Sequence, residues 1–390
     1  MTPMTPMTEP FSYRRESLAQ SYCDALEGRG LLDATSGLFL AAPRRTGKST
    51  FLREDLIPAM MQRGWEPLYV DLWSDRAQDP AELIVSVVRN ALNRYDGPVL
   101  KAAKKVGLDK VSVLGSLSLD LSKIGQPGGA TLADALETLQ QQSGKCLALL
   151  VDEAQHALST KDGTNAMFAI KAARDRLNQG TRVRGLHLVL TGSNRDKLAH
   201  LVLRKNEPFF GAGITRFPLL DRGFVEAYAQ WLKPQFADGR EFSVDTLERA
   251  FELVGRRPEM LKRLVGESVA ELGGAPALDE LIARNARQLQ DRSWREFEST
   301  YNALPPPQRA VLDAIARLSP GYEPFSEASF EAYQLALGKP LNNSAVQSAL
   351  DALREKELIW RAGRGDYAFE DDGLRAWYLE KFQHHVQQQN

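Results

Sequence analysis

The sequence predicts an α/β fold built on a parallel sheet, and three observations carry that expectation. Short apolar runs at residues 37–42, 66–72 (EPLYVDL), 147–153 (LALLVDE) and 186–192 (LHLVLTG) have the length of buried strands rather than of amphipathic helices. Helical stretches separate them, the alternation that brings strands together in parallel through crossover helices. The first run leads directly into a Gly-Lys-Ser loop, and that loop opens a helix.

A chain of 390 residues has the length of two to three domains. With 43% hydrophobic and 25% charged residues and a net charge of -1, it is neither a disordered chain nor a polycation made to coat nucleic acid. Residues 1–15, which open on a Met-Thr-Pro repeat, read as a flexible tail without the basic and apolar regions of a signal peptide. The longest apolar runs are far below the about 20 residues of a membrane span, so no membrane partner is expected. Two cysteines, Cys23 and Cys146, suit a reducing, cytoplasmic setting and make neither a disulfide framework nor a zinc site.

A short helix at 16–27 precedes the first strand. Residues Ala42-Pro43-Arg44-Arg45-Thr46-Gly47-Lys48-Ser49 then match a phosphate-binding loop with Ala at its first Gly position, and Thr50 begins the helical stretch 50–63. Backbone N–H groups of such a loop converge with a helix N-terminus on an anion, and Gly47 allows close approach. Lys48 would neutralise β- and γ-phosphate charge of ATP, and Ser49 would place its hydroxyl on Mg²⁺. The third run ends in Asp152-Glu153. Asp152 suits a water bound to Mg²⁺, and Glu153 suits the deprotonation of an attacking water. The fourth run ends Thr191-Gly192-Ser193-Asn194-Arg195, where Ser193 or Asn194 could hydrogen-bond the γ-phosphate; Ser and Asn are also common helix N-caps.

Taken together, the loop 42–49, LLVDEAQ at 149–155 and TGSNR at 191–195 resemble the archaeal-type ATPases, a family within the AAA+ and STAND-like P-loop ATPases related to origin-recognition ATPases. The resemblance covers residues 18–264 in motifs and the remainder in layout. It implies a P-loop NTPase domain at 16–220, a helical lid at 221–300 and a winged-helix-like domain at 301–390. It further implies that Lys48 and Ser49 form Walker A, Asp152 and Glu153 Walker B, and Asn194 or Ser193 sensor 1. In the lid, Val254-Gly255-Arg256-Arg257-Pro258 stands where relatives carry a sensor 2 motif, with Arg257, before Arg256, reaching the γ-phosphate. Residues 208–213 lack the arginine that relatives often carry there, which leaves a trans-acting arginine finger and a nucleotide-dependent oligomer open; Arg204 and Arg216 are weak substitutes.

Residues 101–130 read as an insertion holding a β-hairpin around Gly115-Ser116, with Lys101, Lys104, Lys105, Lys110 and Lys123 against Asp109 and Asp120. After Pro305-Pro306-Pro307, helices at 308–318, 327–337 and 344–357 and a strand pair at 358–362 and 366–370 give a winged-helix layout. Residues 301–390 hold nine Lys and Arg against twelve Asp and Glu, which offers DNA phosphates little neutralisation. Gln347, Arg354, Arg361 and Arg364 are the candidates for a local DNA contact, and a protein partner is the other expectation. The five histidines have no metal-ligand spacing, and no nucleophile elbow occurs. Two functions remain: an ATP-hydrolysing switch or motor, and a nucleotide-gated DNA- or protein-binding regulator with little hydrolysis.

Overall fold

The computed structural model describes residues 10–95, 130–180, 185–203, 205–236, 242–271, 277–319, 321–363 and 365–386. The expected hairpin at 111–123, Arg204 and Arg364 lie outside them. The chain divides into two units: residues 15–42 with 49–217, and residues 1–14 and 43–48 with 218–390.

The first unit is an α/β layer structure. Its strands are β1 (Leu38–Ala41), β2 (Glu66–Asp71), β3 (Leu147–Asp152), β4 (Leu186–Gly192) and β5 (Ile214–Arg216), in the order β2-β3-β4-β1-β5 and parallel throughout. Alternate residues of each strand face opposite layers. Leu38 and Leu40 of β1 join Ala148, Leu150 and Val189 under α1 (Glu16–Glu27) and the helix that follows the phosphate loop. Phe39 and Ala41 join Leu147, Leu149, Val151 and Leu188 under α4 (Pro80–Tyr95), α5 (Leu132–Ser143), α6 (Lys161–Asn178) and α7 (Arg195–Leu203). Burial on both faces is why these strands read as continuous apolar runs rather than alternating ones. The helix after the loop runs as α2 (Lys48–Phe51), a π-type turn (Leu52–Leu56) and α3 (Ile57–Gln62). Pro58 explains the widened turn, because it has no N–H to offer and its ring crowds the carbonyl four residues earlier.

The second unit is helical, with two cores. Helices α8 (Arg222–Leu232), α9 (Val244–Leu253) and α10 (Pro258–Ala270) bury Phe224, Val225, Leu247, Phe251, Leu261 and Leu264 around the first. Phe11 and Tyr13, placed by the sequence in the N-terminal tail, pack edge-on against Phe224 at 5.7 and 5.5 Å. The second core is a winged helix: α12 (Pro306–Leu318), α13 (Glu327–Leu337), α14 (Asn343–Glu355), the antiparallel pair β6 (Ile359–Arg361) and β7 (Tyr367–Phe369), and α15 (Asp372–Val386). The 25-residue helix α11 (Leu278–Asn302) serves both, giving Leu278, Ile282 and Ala286 to one core and Trp294, Phe297 and Tyr301 to the other.

Candidate nucleotide site

In the sheet unit the strand ends are brought into line by register. Ala41 stands opposite Gly192, Val151 opposite Leu190, and Asp71 opposite Asp152. The carboxyl ends of parallel strands are where α/β sheets bind ligands, and this end carries the acidic pair.

Asp152 is the last residue of β3 and is fully buried. A buried carboxylate needs compensating donors, and here the two neighbouring strands and the next backbone N–H supply them. The Thr191 hydroxyl of β4 donates to Oδ1, the Tyr69 phenol of β2 donates to Oδ2 at 3.2 Å, and the Glu153 N–H donates to Oδ1 at 3.0 Å. Burial, then the charges of Asp152 and Asp71, push the Tyr69 phenol well above its ordinary pKa. Neither Tyr69 nor Thr191 stands out in the sequence as a site residue.

Glu153 leaves the strand in the left-handed region, with φ 54° and ψ 41°. Its Oε2 accepts from the Ser193 hydroxyl at 2.6 Å, the Ser193 N–H at 3.2 Å and the Gln155 amide at 2.6 Å. Asp152, Glu153 and Ser193 are therefore gathered into one hydrogen-bonded cluster. Asn194, next in line, has its Oδ1 occupied as the cap of α7, accepting from the Lys197 N–H at 2.8 Å. Ser49 belongs to the same unit, where its carbonyl accepts from Arg53 Nε at 3.4 Å, and Thr50 is exposed. Ala42 is buried, and its N–H bonds the Gly192 carbonyl at 3.2 Å.

Residues 43–48 segregate with the helical unit. Within this stretch the Thr46 hydroxyl bonds the Pro43 carbonyl at 2.8 Å, and Thr46 and Lys48 are buried while Arg44 and Arg45 are exposed. Arg45 and Gly47 both have positive φ, 66° and 89°, so Gly47 is needed for conformation. A Cβ at 47 would lie 3.9 Å from Leu220 Cδ1, and the Leu220 carbonyl accepts from Arg256 at 3.4 Å. Arg256 also pairs with Glu252 at 3.0 Å. Arg257, the arginine preferred from sequence, instead pairs with Asp371 at the start of α15, at 3.4 Å.

No resident metal cage is present: among the described residues, no group of three or more His, Cys, Asp or Glu could hold an ion. Asp152 is nevertheless a carboxylate of the type Mg²⁺ uses, one or two at a time, together with several waters and substrate phosphates.

On the winged helix, the exposed side of α14 offers little to phosphate. Gln347 donates to Asp351 at 3.0 Å and Arg354 pairs with the same Asp351 at 3.3 Å. Arg361 donates to the Gly363 carbonyl at 3.2 Å.

Comparison with known proteins agrees with this architecture. A family described as a probable winged helix domain matches residues 295–380. Comparison with curated proteins gives no match. Among solved structures, a Walker-type ATPase of Pyrococcus abyssi is 18% identical, with 96% of this chain and 98% of that chain covered at a TM-score of 0.51. The ORC2 protein of Aeropyrum pernix in its ADP form is 15% identical, with 95% and 93% covered at a TM-score of 0.53. At such identities the likeness is one of fold. The chain shares the fold of these two proteins; its own α/β unit is a parallel five-stranded sheet, and a winged helix follows at the C-terminal end. Among the described residues no helix is long and apolar enough to cross a membrane.

Proposed function

We propose that the chain is an ATP hydrolase of the AAA+ and STAND-like kind, using nucleotide turnover as a switch or motor on a DNA or protein partner. The observation that supports this best is the acidic pair at the end of β3, Asp152 oriented by donors from β2 and β4 and Glu153 by donors that follow β3 and β4, in a fold whose β1 feeds the loop 42–49. In this reading the loop N–H groups and Lys48 hold the β- and γ-phosphates. Ser49 and Asp152 would hold Mg²⁺, which when bound neutralises charge developing on the transferred phosphoryl group. Glu153 takes the proton of the attacking water, and Asn194 offers its Nδ2 donor, its Oδ1 being the cap of α7. Arg257 reads the γ-phosphate from the lid, leaving Asp371 to do so. Residues 221–300 serve as the lid and 301–390 as the partner-facing module, in a cytoplasmic protein that assembles, if at all, under nucleotide control.

A second reading, a nucleotide-gated regulator with little hydrolysis, draws on the three hydrogen bonds that already occupy Glu153 Oε2. Steady-state phosphate release with and without DNA separates the two. Glu153→Gln should bind ATP as the wild type does and lose turnover by about 10²- to 10⁴-fold. Wild-type rates in that variant would place the base elsewhere. Tight ATP binding without turnover in the wild type would favour the regulator.

A further inference from the structure

We propose that Gln155 is a positioning residue for the Glu153 carboxylate and that Gly192 is glycine in order to admit it, an inference that rests on Glu153 being the general base. Gln155 lies in the 3₁₀ turn Ala154–Ser159 directly after β3 and is 5% exposed. Its Nε2 donates to Glu153 Oε2 at 2.6 Å, while its Oε1 is buried without a hydrogen-bond partner among the described residues. A buried orphan acceptor is costly, and turning the amide over would not relieve it. That turn would set a carbonyl oxygen against a carboxylate oxygen at hydrogen-bond distance. The amide orientation is thus dictated by Glu153.

Gly192 completes the argument from the other side. It is absent from the residues with positive φ, so conformation does not require glycine there. Space does: a Cβ at 192 would come within 2.7 Å of Gln155 Oε1 and 3.0 Å of Leu198 Cβ. The strand end is left bare where the Gln155 amide passes. Three donors then meet on one oxygen of Glu153, two from Ser193 after β4 and one from Gln155 after β3. Donors from two different elements fix the carboxylate's rotation and so the direction its second oxygen faces. A base misplaced by about 1 Å can lose about 10²-fold in rate.

The test is Gln155→Met, which keeps the side chain's length and removes both the donor and the orphan acceptor. The kcat for ATP hydrolysis should fall by about 10- to 100-fold. The ATP dissociation constant from calorimetry and the melting temperature should stay at wild-type values. In a Glu153→Gln background the same substitution should leave the residual rate unchanged, because nothing remains to position. Gly192→Ala should lower kcat by displacing Gln155, and Gly192→Ala with Gln155→Met should be no slower than the slower single variant. A wild-type kcat in folded Gln155→Met, or an equal fold loss in both backgrounds, would overturn the proposal while leaving the base assignment standing. Wild-type turnover in Glu153→Gln would overturn that assignment, and the role of Gln155 with it.

Discussion

Tyr69 shows how much of a site can sit outside its motif. Its phenol, whose pKa is raised by burial and by two neighbouring carboxylates, donates to Asp152 alongside the Thr191 hydroxyl and the Glu153 N–H. Partners that orient a metal-associated carboxylate typically matter by about 10- to 100-fold in metal affinity. If Asp152 serves Mg²⁺ as proposed, Tyr69→Phe should raise the Mg²⁺ concentration needed for tight ATP binding by about 10- to 100-fold, read by calorimetric ATP titrations at graded Mg²⁺, with metal-free ATP affinity unchanged. An unchanged Mg²⁺ requirement would make the contact purely structural. Lys48→Ala addresses the other half of the site: it removes the charge assigned to the β- and γ-phosphates, and wild-type ATP affinity in that variant would refute the loop assignment. Asp152 and Glu153 are legible because acids at the end of an apolar run are conspicuous. Tyr69, Thr191 and Gln155 are not, since a Tyr or Thr inside a strand and a Gln in a turn are ordinary until register sets them beside a carboxylate.

The elements themselves follow mostly from short-range signals. Helix α1, β4 and α13 have the bounds their periodicity predicts, and β3 ends one residue early because Glu153 turns left-handed. The three-residue β5 escapes detection: it is too short for a period, and its Thr215 and Arg216 lie on a sheet edge where apolar side chains are not required. Helix α5 begins in a capping box, Thr131 accepting from the Asp134 N–H at 3.1 Å and Asp134 accepting in return from the Thr131 N–H at 3.2 Å. Thr131→Ala should cost about 1 kcal/mol in urea unfolding. The Thr131 hydroxyl bond, with help from Arg176, holds the Asp134 carboxyl below its usual range. A carboxyl depressed in the folded state stabilises above its unfolded pKa, and that contribution is lost as pH falls through the depressed value. Asp134→Asn should flatten this part of the acid limb of stability, and an unaltered limb would mean the pair is worth nothing in solution.

At the scale of the helical unit, α11 is the decisive element, because one uninterrupted helix belongs to both cores. The first three-helix core and the winged helix are therefore coupled through α11, with Arg257 and Asp371 as a second tie. That ion pair is one-third to two-fifths exposed, so it is worth about 0–1 kcal/mol and can be exchanged for a phosphate at little cost. If nucleotide drives a switch, hydrogen exchange across residues 218–390 should differ between ATP- and ADP-bound protein, and Arg257→Ala should shrink the difference. Identical exchange in both states would sink the switch and leave the nucleotide site untouched.

The amino-acid sequence alone determined the α/β class, the phosphate-loop match, the acidic pair and the winged-helix layout, because each depends on neighbours within a helical turn or a strand's length. Tertiary structure decided which groups the functional side chains meet. Tyr69 finds Asp152 across 83 residues, Ser193 finds Glu153 across 40, and Arg257 finds Asp371 across 114. Contacts at such separations are created by strand order and helix packing, and no local periodicity encodes them.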